Sequence, residues 1–217
     1  LLRFGGRRQA LMEYRLAMEN GALHVPVLRD ALPLCQSEAE LRTLLPDKTQ
    51  IHAGAIIMLR QAKRWVLARA AADRGVKRWP LDLELCIQRA QVMLGQKDRE
   101  SISAARRCME LKPSRSAYSV LAAVTAAMRP SGEEIKVLLE GRKKFPESMV
   151  LAEGLALAYL QHHEYKSALE AAEQMLLLAL HWQGRVHAHH TIARIHKVQG
   201  HEHSVQYHLE QARAIQM

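Results

Sequence analysis

Ten of the twelve histidines fall between His162 and His208, so the first chemistry to weigh is that of imidazole. Two histidines three or four residues apart on one helical face can bind zinc or nickel. His187 and His190 have that spacing. A metal centre needs further ligands, however, and here no cysteine lies nearby and acids are sparse. Structural or surface roles therefore outweigh a metal site. The run His201-Glu202-His203 approaches an HExxH motif, but its histidines are two residues apart and a helix points them to different sides. No glycine-rich phosphate loop or nucleophile elbow is present. The expectation is a chain with no catalytic activity, no metal and no cofactor.

Cys35, Cys86 and Cys108 show neither CxxC nor CxxH spacing. An odd number of scattered thiols fits a reducing compartment better than a disulfide framework, and three small buried fillers are expected. The compartment expected on that ground is the cytoplasm. Leu1 is not an initiator methionine, so the chain reads as part of something longer. A signal or anchor outside it would make the protein periplasmic or membrane-tethered. Within the chain no apolar run approaches the roughly 18–20 residues that span a bilayer. Met175 to Leu180, the most apolar stretch, reads as buried core, and no membrane insertion is expected.

The net charge of +9 is unevenly spread: residues 149–217 hold only 5 of the 31 Lys+Arg and 6 of the 22 Asp+Glu. Arg60, Lys63, Arg64, Arg69, Arg74, Lys77 and Arg78 crowd one stretch with Asp73 as its one acid. Such clusters supply salt-sensitive phosphate contacts, which makes a nucleic-acid-binding helical repeat one candidate. Single-strand binders also need stacking rings, and aromatics make up only 5% here. The charges also circle the helix, so a solvated outer face outweighs a nucleic-acid stripe.

The elements that position these residues are helices. Pro80, Pro113 and Pro146 stand 33 residues apart, each closing a basic run tipped by an apolar residue or, at Lys112, by a lysine just after Leu111. A fixed period of that size marks a stacked repeat, and proline marks where each helix must stop. From Val150 to Leu178 apolar residues return every three or four positions around a break at Gln161-His162-His163-Glu164, which predicts two antiparallel helices. Val/Ile/Thr-rich alternation is missing, which argues against sheets.

Ala152, Leu155, Ala156 and Tyr159, followed by Ala168 and Ala172, resemble the tetratricopeptide pattern W-x2-L-G-x2-Y…A-x3-F…P. The frame recurs upstream at His52, Ala55, Ile56, Leu59, Ala68 and Ala72, and downstream at His189, Ile192, Ala193, His196, Val205 and Leu209. A copy opening at Tyr118, Leu121 and Ala122 has a turn disturbed by Met128 to Gly132. The poorest copy has Arg89 where a small residue belongs, as if slipped by one residue to bring in Ala90. The resemblance implies an all-α, right-handed superhelical array of antiparallel helix pairs, an α-solenoid. Five units are expected at about 49–81, 82–114, 115–148, 149–182 and 183–217. Residues 1–48 lie outside the repeat and are expected to form a helical cap or extension. Arg7 to Glu19 stops at Asn20-Gly21, and Ser37 to Glu40 reads as a capped start.

The resemblance also implies a ligand groove on the first helix of each pair, beside the packing signature. In the two N-terminal pairs it falls on Ile57 and Arg60, then on Leu83, Cys86, Ala90 and Met93. Further along it falls on Ser119 and Ala123, on Val150, Glu153, Leu157 and Leu160, and on His187, His190, Arg194 and Lys197. The middle of this surface is apolar or small and its far end basic, which suits a protein segment that is apolar with acidic character. A chaperone-type carboxylate clamp is not expected, because Asn20 is the chain's one asparagine and lies outside the repeats. The function expected is a non-catalytic scaffold or adaptor, a module of a larger bacterial protein or assembly. The rivals are the nucleic-acid-binding repeat and a helper domain for an absent catalytic region such as a glycosyltransferase.

Overall fold

The computed structural model describes residues 6–128 and 132–216. Arg129, Pro130 and Ser131, the heart of the turn expected to be disturbed, lie outside the described residues. The chain is all-α: thirteen α-helices, one short 3-10 helix (Leu32–Leu34) and no strand occur among the described residues. It divides into two compact units, Leu1–Lys112 and Pro113–Met217.

In the first unit, helices α1 (Arg7–Glu19), α2 (His24–Ala31) and α3 (Glu38–Leu44) precede the pairs α4 (Thr49–Gln61) with α5 (Trp65–Arg78) and α6 (Leu83–Gly95) with α7 (Ser101–Leu111). Helix α3 opens on the capping box: Ser37 accepts from the Glu40 backbone N–H, and the Glu40 carboxylate accepts from the Gln36 and Ser37 N–H groups. Those backbone donors hold the Glu40 carboxyl below its ordinary range. Leu11, Met18, Leu28, Leu41 and Leu44 share one core with Ile51, Ile56 and Leu59 of α4 and with Ala68 and Ala72 of α5. His52 is wholly buried there, edge-on to Trp79.

The second unit stacks α8 (Arg115–Met128) with α9 (Glu133–Lys144), α10 (Met149–Gln161) with α11 (Tyr165–Leu178), and α12 (Trp182–Val198) with α13 (Glu202–Gln216). Ala156, Ala168 and Ala172 are fully buried where α10 meets α11, so small side chains set that approach. Leu151, Met175 and Ile195 are also fully buried. Each such large side chain contributes about 1.5–3 kcal/mol relative to exposure.

Two devices end the helices. Helices α5, α7 and α9 stop at Arg78, Leu111 and Lys144, each two residues before a proline that lacks the donor to continue. The turns inside the pairs use a left-handed residue: Lys63 (φ 56°), Lys97 (φ 56°), His163 (φ 60°) and Gly200 (φ 76°). In each the next N–H reaches back five residues, as from Arg64 to the Leu59 carbonyl (2.8 Å) and from Glu164 to that of Tyr159 (2.9 Å). This is the Schellman arrangement, which satisfies carbonyls left open at a helix end.

One expectation about cysteine fails. Cys86 on α6 and Cys108 on α7 are joined in a disulfide, with Cα atoms 5.7 Å apart. Their 22-residue separation carries no local signature, and only the antiparallel packing of the two helices brings them together. Two of the three thiols are therefore not free fillers, and cysteine usage no longer points to a reducing compartment. Cys35 is free and buried, its thiol pushed up to about 11 mainly by burial. No helix among the described residues is long and apolar enough to cross a membrane.

Candidate functional site

A groove of about 430 Å³ lies in the second unit between α8, α9 and α10. Small side chains line much of it: Ala122, Ala123, Ala126 and Ala127 from α8, and Gly154 and Ala158 from α10. Val150, Leu157 and Leu138 supply apolar walls, and Ser119, Glu134, Glu153 and Gln161 the polar atoms. The glycine is a packing requirement, since a Cβ at Gly154 would stand 2.8 Å from Leu138 Cδ2. The groove brings together five predicted residues: Ser119, Ala123, Val150, Glu153 and Leu157. His187 joins its edge through a 2.7 Å hydrogen bond from α12 to the Glu153 carboxylate.

The other predicted residues lie elsewhere. His190, Arg194 and Lys197 are exposed on α12 but do not line this groove, and Leu160 is buried. In the first unit Ile57 and Leu83 are half-buried. Cys86 is held in the disulfide, while Ala90 and Met93 are completely buried, so these three belong to the core. The cause is a one-residue slip. Ala90 does occupy the packing position in place of Arg89, which pairs with Asp73 at 2.6 Å. One residue turns a helix by about 100°, so the open face moves by the same step. It carries Glu84 and Gln91 instead, with the buried Gln88 beneath them: Gln88 donates to Glu84 (2.7 Å), and both glutamines accept from the Arg60 guanidinium. Burial holds Arg60 below its ordinary value.

Sequence reasoning confined to first helices missed Glu134 and Leu138, which reach the groove from α9. Glu134 is the unusual one. Its side chain is 1% exposed, its Oε1 lies 2.6 Å from His162 Nε2, and its Oε2 has no partner among the described residues. An acid four residues before an apolar helical position carries no sequence mark to separate it from a solvated first-turn glutamate.

The C-terminal histidines cluster between α12 and α13. His189 Nδ1 lies 3.1 Å from His208 Nδ1, and His196 stacks on His208 with ring centroids 5.7 Å apart. Burial, then neighbouring positive groups (Arg185 and His190 for His189, His201 for His196), holds these rings below the ordinary histidine value. No group of three His, Cys, Asp or Glu among the described residues is arranged to hold a metal ion.

The chain matches no family model and no curated protein. Solved structures do match. TTC0263, a thermophilic TPR protein in Thermus thermophilus, shares 18% identity over 76% of this chain and 90% of its own, with a TM-score of 0.65. This chain has the tetratricopeptide fold. MamA is similar as well, at 17% identity over 73% of this chain and 92% of its own, TM-score 0.55. MamA from Desulfovibrio magneticus RS-1 aligns at 14% identity over 79% of this chain and 96% of its own, TM-score 0.56. Within that fold the groove lies against α8 and α10, each the first helix of its pair.

Proposed function

We propose that the protein is a non-catalytic tetratricopeptide scaffold that holds a protein segment in the groove of the second unit. The observation that carries this reading is the groove's lining: alanines and a glycine, larger apolar side chains and a few polar residues. A surface of that kind lets a backbone approach closely and buries apolar side chains, as helix-in-groove and extended-peptide recognition require. Arg194 and Lys197 stand exposed on α12 with no ion pair among the described residues, and an acidic end of the segment would meet them.

The basic stretch of the first unit gives the nucleic-acid alternative little support. The Arg64 guanidinium donates to the Leu32 and Cys35 carbonyls. Arg69 pairs with Asp73 and Asp98, both at 2.8 Å, and Arg74 and Arg78 lie 3.6 Å from Asp47.

Leu157→Glu tests the scaffold reading. Leu157 is half-buried in the groove wall and stands beside the packing positions. The substitution is expected to abolish capture of peptides from a random-sequence display library while leaving helicity and melting nearly unchanged. Equal capture by the variant would refute the groove as the binding surface.

A further inference from the structure

A second concavity, of about 290 Å³, lies in the first unit between α2, the short 3-10 helix Leu32–Leu34 and α4. Leu28, Leu32 and Leu59 are buried beneath it, while Pro33 and Ala62 are exposed and Met58 is half-buried, so an incoming group can reach its surface. Its charged lining is Arg29 and Arg64, and no carboxylate lines it among the described residues. The Arg64 guanidinium is held by the Leu32 and Cys35 carbonyls, neutral acceptors that do not cancel its charge. Arg29 is exposed, with no hydrogen bond or ion pair among the described residues. An apolar surface edged by an unpaired guanidinium suits an apolar ligand that ends in an anion.

We propose that this concavity binds an aliphatic carboxylate, its chain lying on Pro33, Met58 and Ala62 and its head meeting Arg29. The site belongs to the first unit and does not depend on the scaffold reading of the second. The scarcity of polar partners selects an alkyl chain over a peptide. A peptide backbone leaving water needs a partner for each N–H and C=O, and each one left without is penalised. Apart from the two arginines, the lining side chains carry no hydroxyl, amide or acid, and Pro33 has no backbone N–H. Methylenes need no such partner, and their burial is favourable in itself. At the head, the planar guanidinium fork of Arg29 matches the two oxygens of a carboxylate. An alkylammonium would be repelled by both arginines, and an alcohol brings no charge to meet them.

The probe is decanoate, titrated below the concentration at which it forms micelles into protein labelled at its methionine methyls for NMR. Decanoate is expected to shift the Met58 methyl, and each methylene added from octanoate to decanoate should tighten binding about two- to fourfold. 1-Decanol, which keeps the chain and lacks the charge, should bind about tenfold more weakly or worse. Arg29→Gln changes an exposed side chain and should bring decanoate down to the level of decanol. Ala62→Glu sets an acid into the lining at an exposed position, so it should abolish decanoate binding with melting unchanged. No Met58 shift at about 1 mM decanoate would overturn the site, and this arm leaves the protein unaltered. A shift that survives Ala62→Glu would overturn it too, by placing decanoate elsewhere. Decanol binding as tightly as decanoate, or full affinity in Arg29→Gln, would overturn the carboxylate at Arg29. Peptides from a random-sequence display library that displace decanoate from Met58 would make a protein segment the occupant and overturn the alkyl chain. None of these outcomes involves Leu157, so the scaffold reading stands or falls separately.

Discussion

Lys97 occupies a left-handed conformation, φ 56°, that side chains with a Cβ adopt at a steric penalty. It is exposed, and its backbone N–H closes the turn to the Leu94 carbonyl at 2.9 Å. Lys97→Gly is therefore expected to be neutral or to stabilise by up to about 1 kcal/mol, while Lys97→Val should destabilise by about 1 kcal/mol or more. Urea melts of the two variants check the sign of each. Met93 shows the opposite case, a residue whose sequence position suggests a surface and whose side chain is core. Because it is completely buried, Met93→Glu is expected to unfold the first unit, where Leu157→Glu in the groove wall leaves the second intact. Cysteine alkylation under denaturing conditions supplies a third check. Without reductant only Cys35 should react, and all three cysteines should react after reduction; three labels without reductant would contradict the Cys86–Cys108 pair.

At the scale of elements, close approach rests on what is missing from a side chain. A Cβ on Gly141 of α9 would stand 2.9 Å from the Tyr118 ring, itself buried and bonded through its hydroxyl to Glu140 at 2.7 Å. Gly141→Ala is expected to destabilise by about 1–3 kcal/mol, as is Ala156→Leu between α10 and α11; thermal melting with unchanged helicity at low temperature is the readout. The α12–α13 pair is expected to be acid-sensitive. Burial first, and neighbouring cations second, lower His189, His196 and His208 from their ordinary value near 6.5. A lowered histidine stabilises the fold while neutral, above its unfolded pKa. That contribution is lost as pH falls through about 6.5 toward the folded values. Glu173 acts on His196 in the opposite direction to burial. His52 is lowered by burial and by Arg74, so α4 should loosen over the same window. Hydrogen exchange at pH 7.5 and 5.5, corrected for intrinsic rate, should show protection falling around α12–α13 and α4. Unchanged protection there would contradict the burial argument.

For the whole molecule, a net charge of +9 does not amount to a phosphate-binding surface. Arg60, Arg64, Arg69, Arg74 and Arg78 are bonded within the first unit, while Lys63 and Lys77 remain exposed. Counterion release needs cations free to meet phosphates rather than held by oxygens of their own chain. Labelled single- and double-stranded DNA and RNA are expected to show no binding at micromolar protein and low salt. A steep salt dependence that Arg64 and Arg69 reversal reduces would restore the nucleic-acid reading.

What the sequence by itself determined is the helical class and the places where helices end. Proline lacks a donor wherever it sits, so Pro80, Pro113 and Pro146 could be read without any tertiary knowledge, as could the capping box at Ser37 and Glu40. The groove residues of α8 and α10 were legible because their packing signature is in phase: small Ala156 marks the buried face, and Leu157 follows from it. In α6 the slip from Arg89 to Ala90 rotated the same reading by about 100° and put core residues among the expected groove positions. The tertiary structure alone decided three things. Antiparallel packing brought Cys86 to Cys108. It set Glu153 against His187, which is 34 positions further along the chain. And it buried Glu134 beside the groove with one oxygen against His162 and the other without a partner among the described residues. Helical period is a local property that neighbouring residues express together, whereas a contact between helices depends on their phase and stagger, which no single helix encodes.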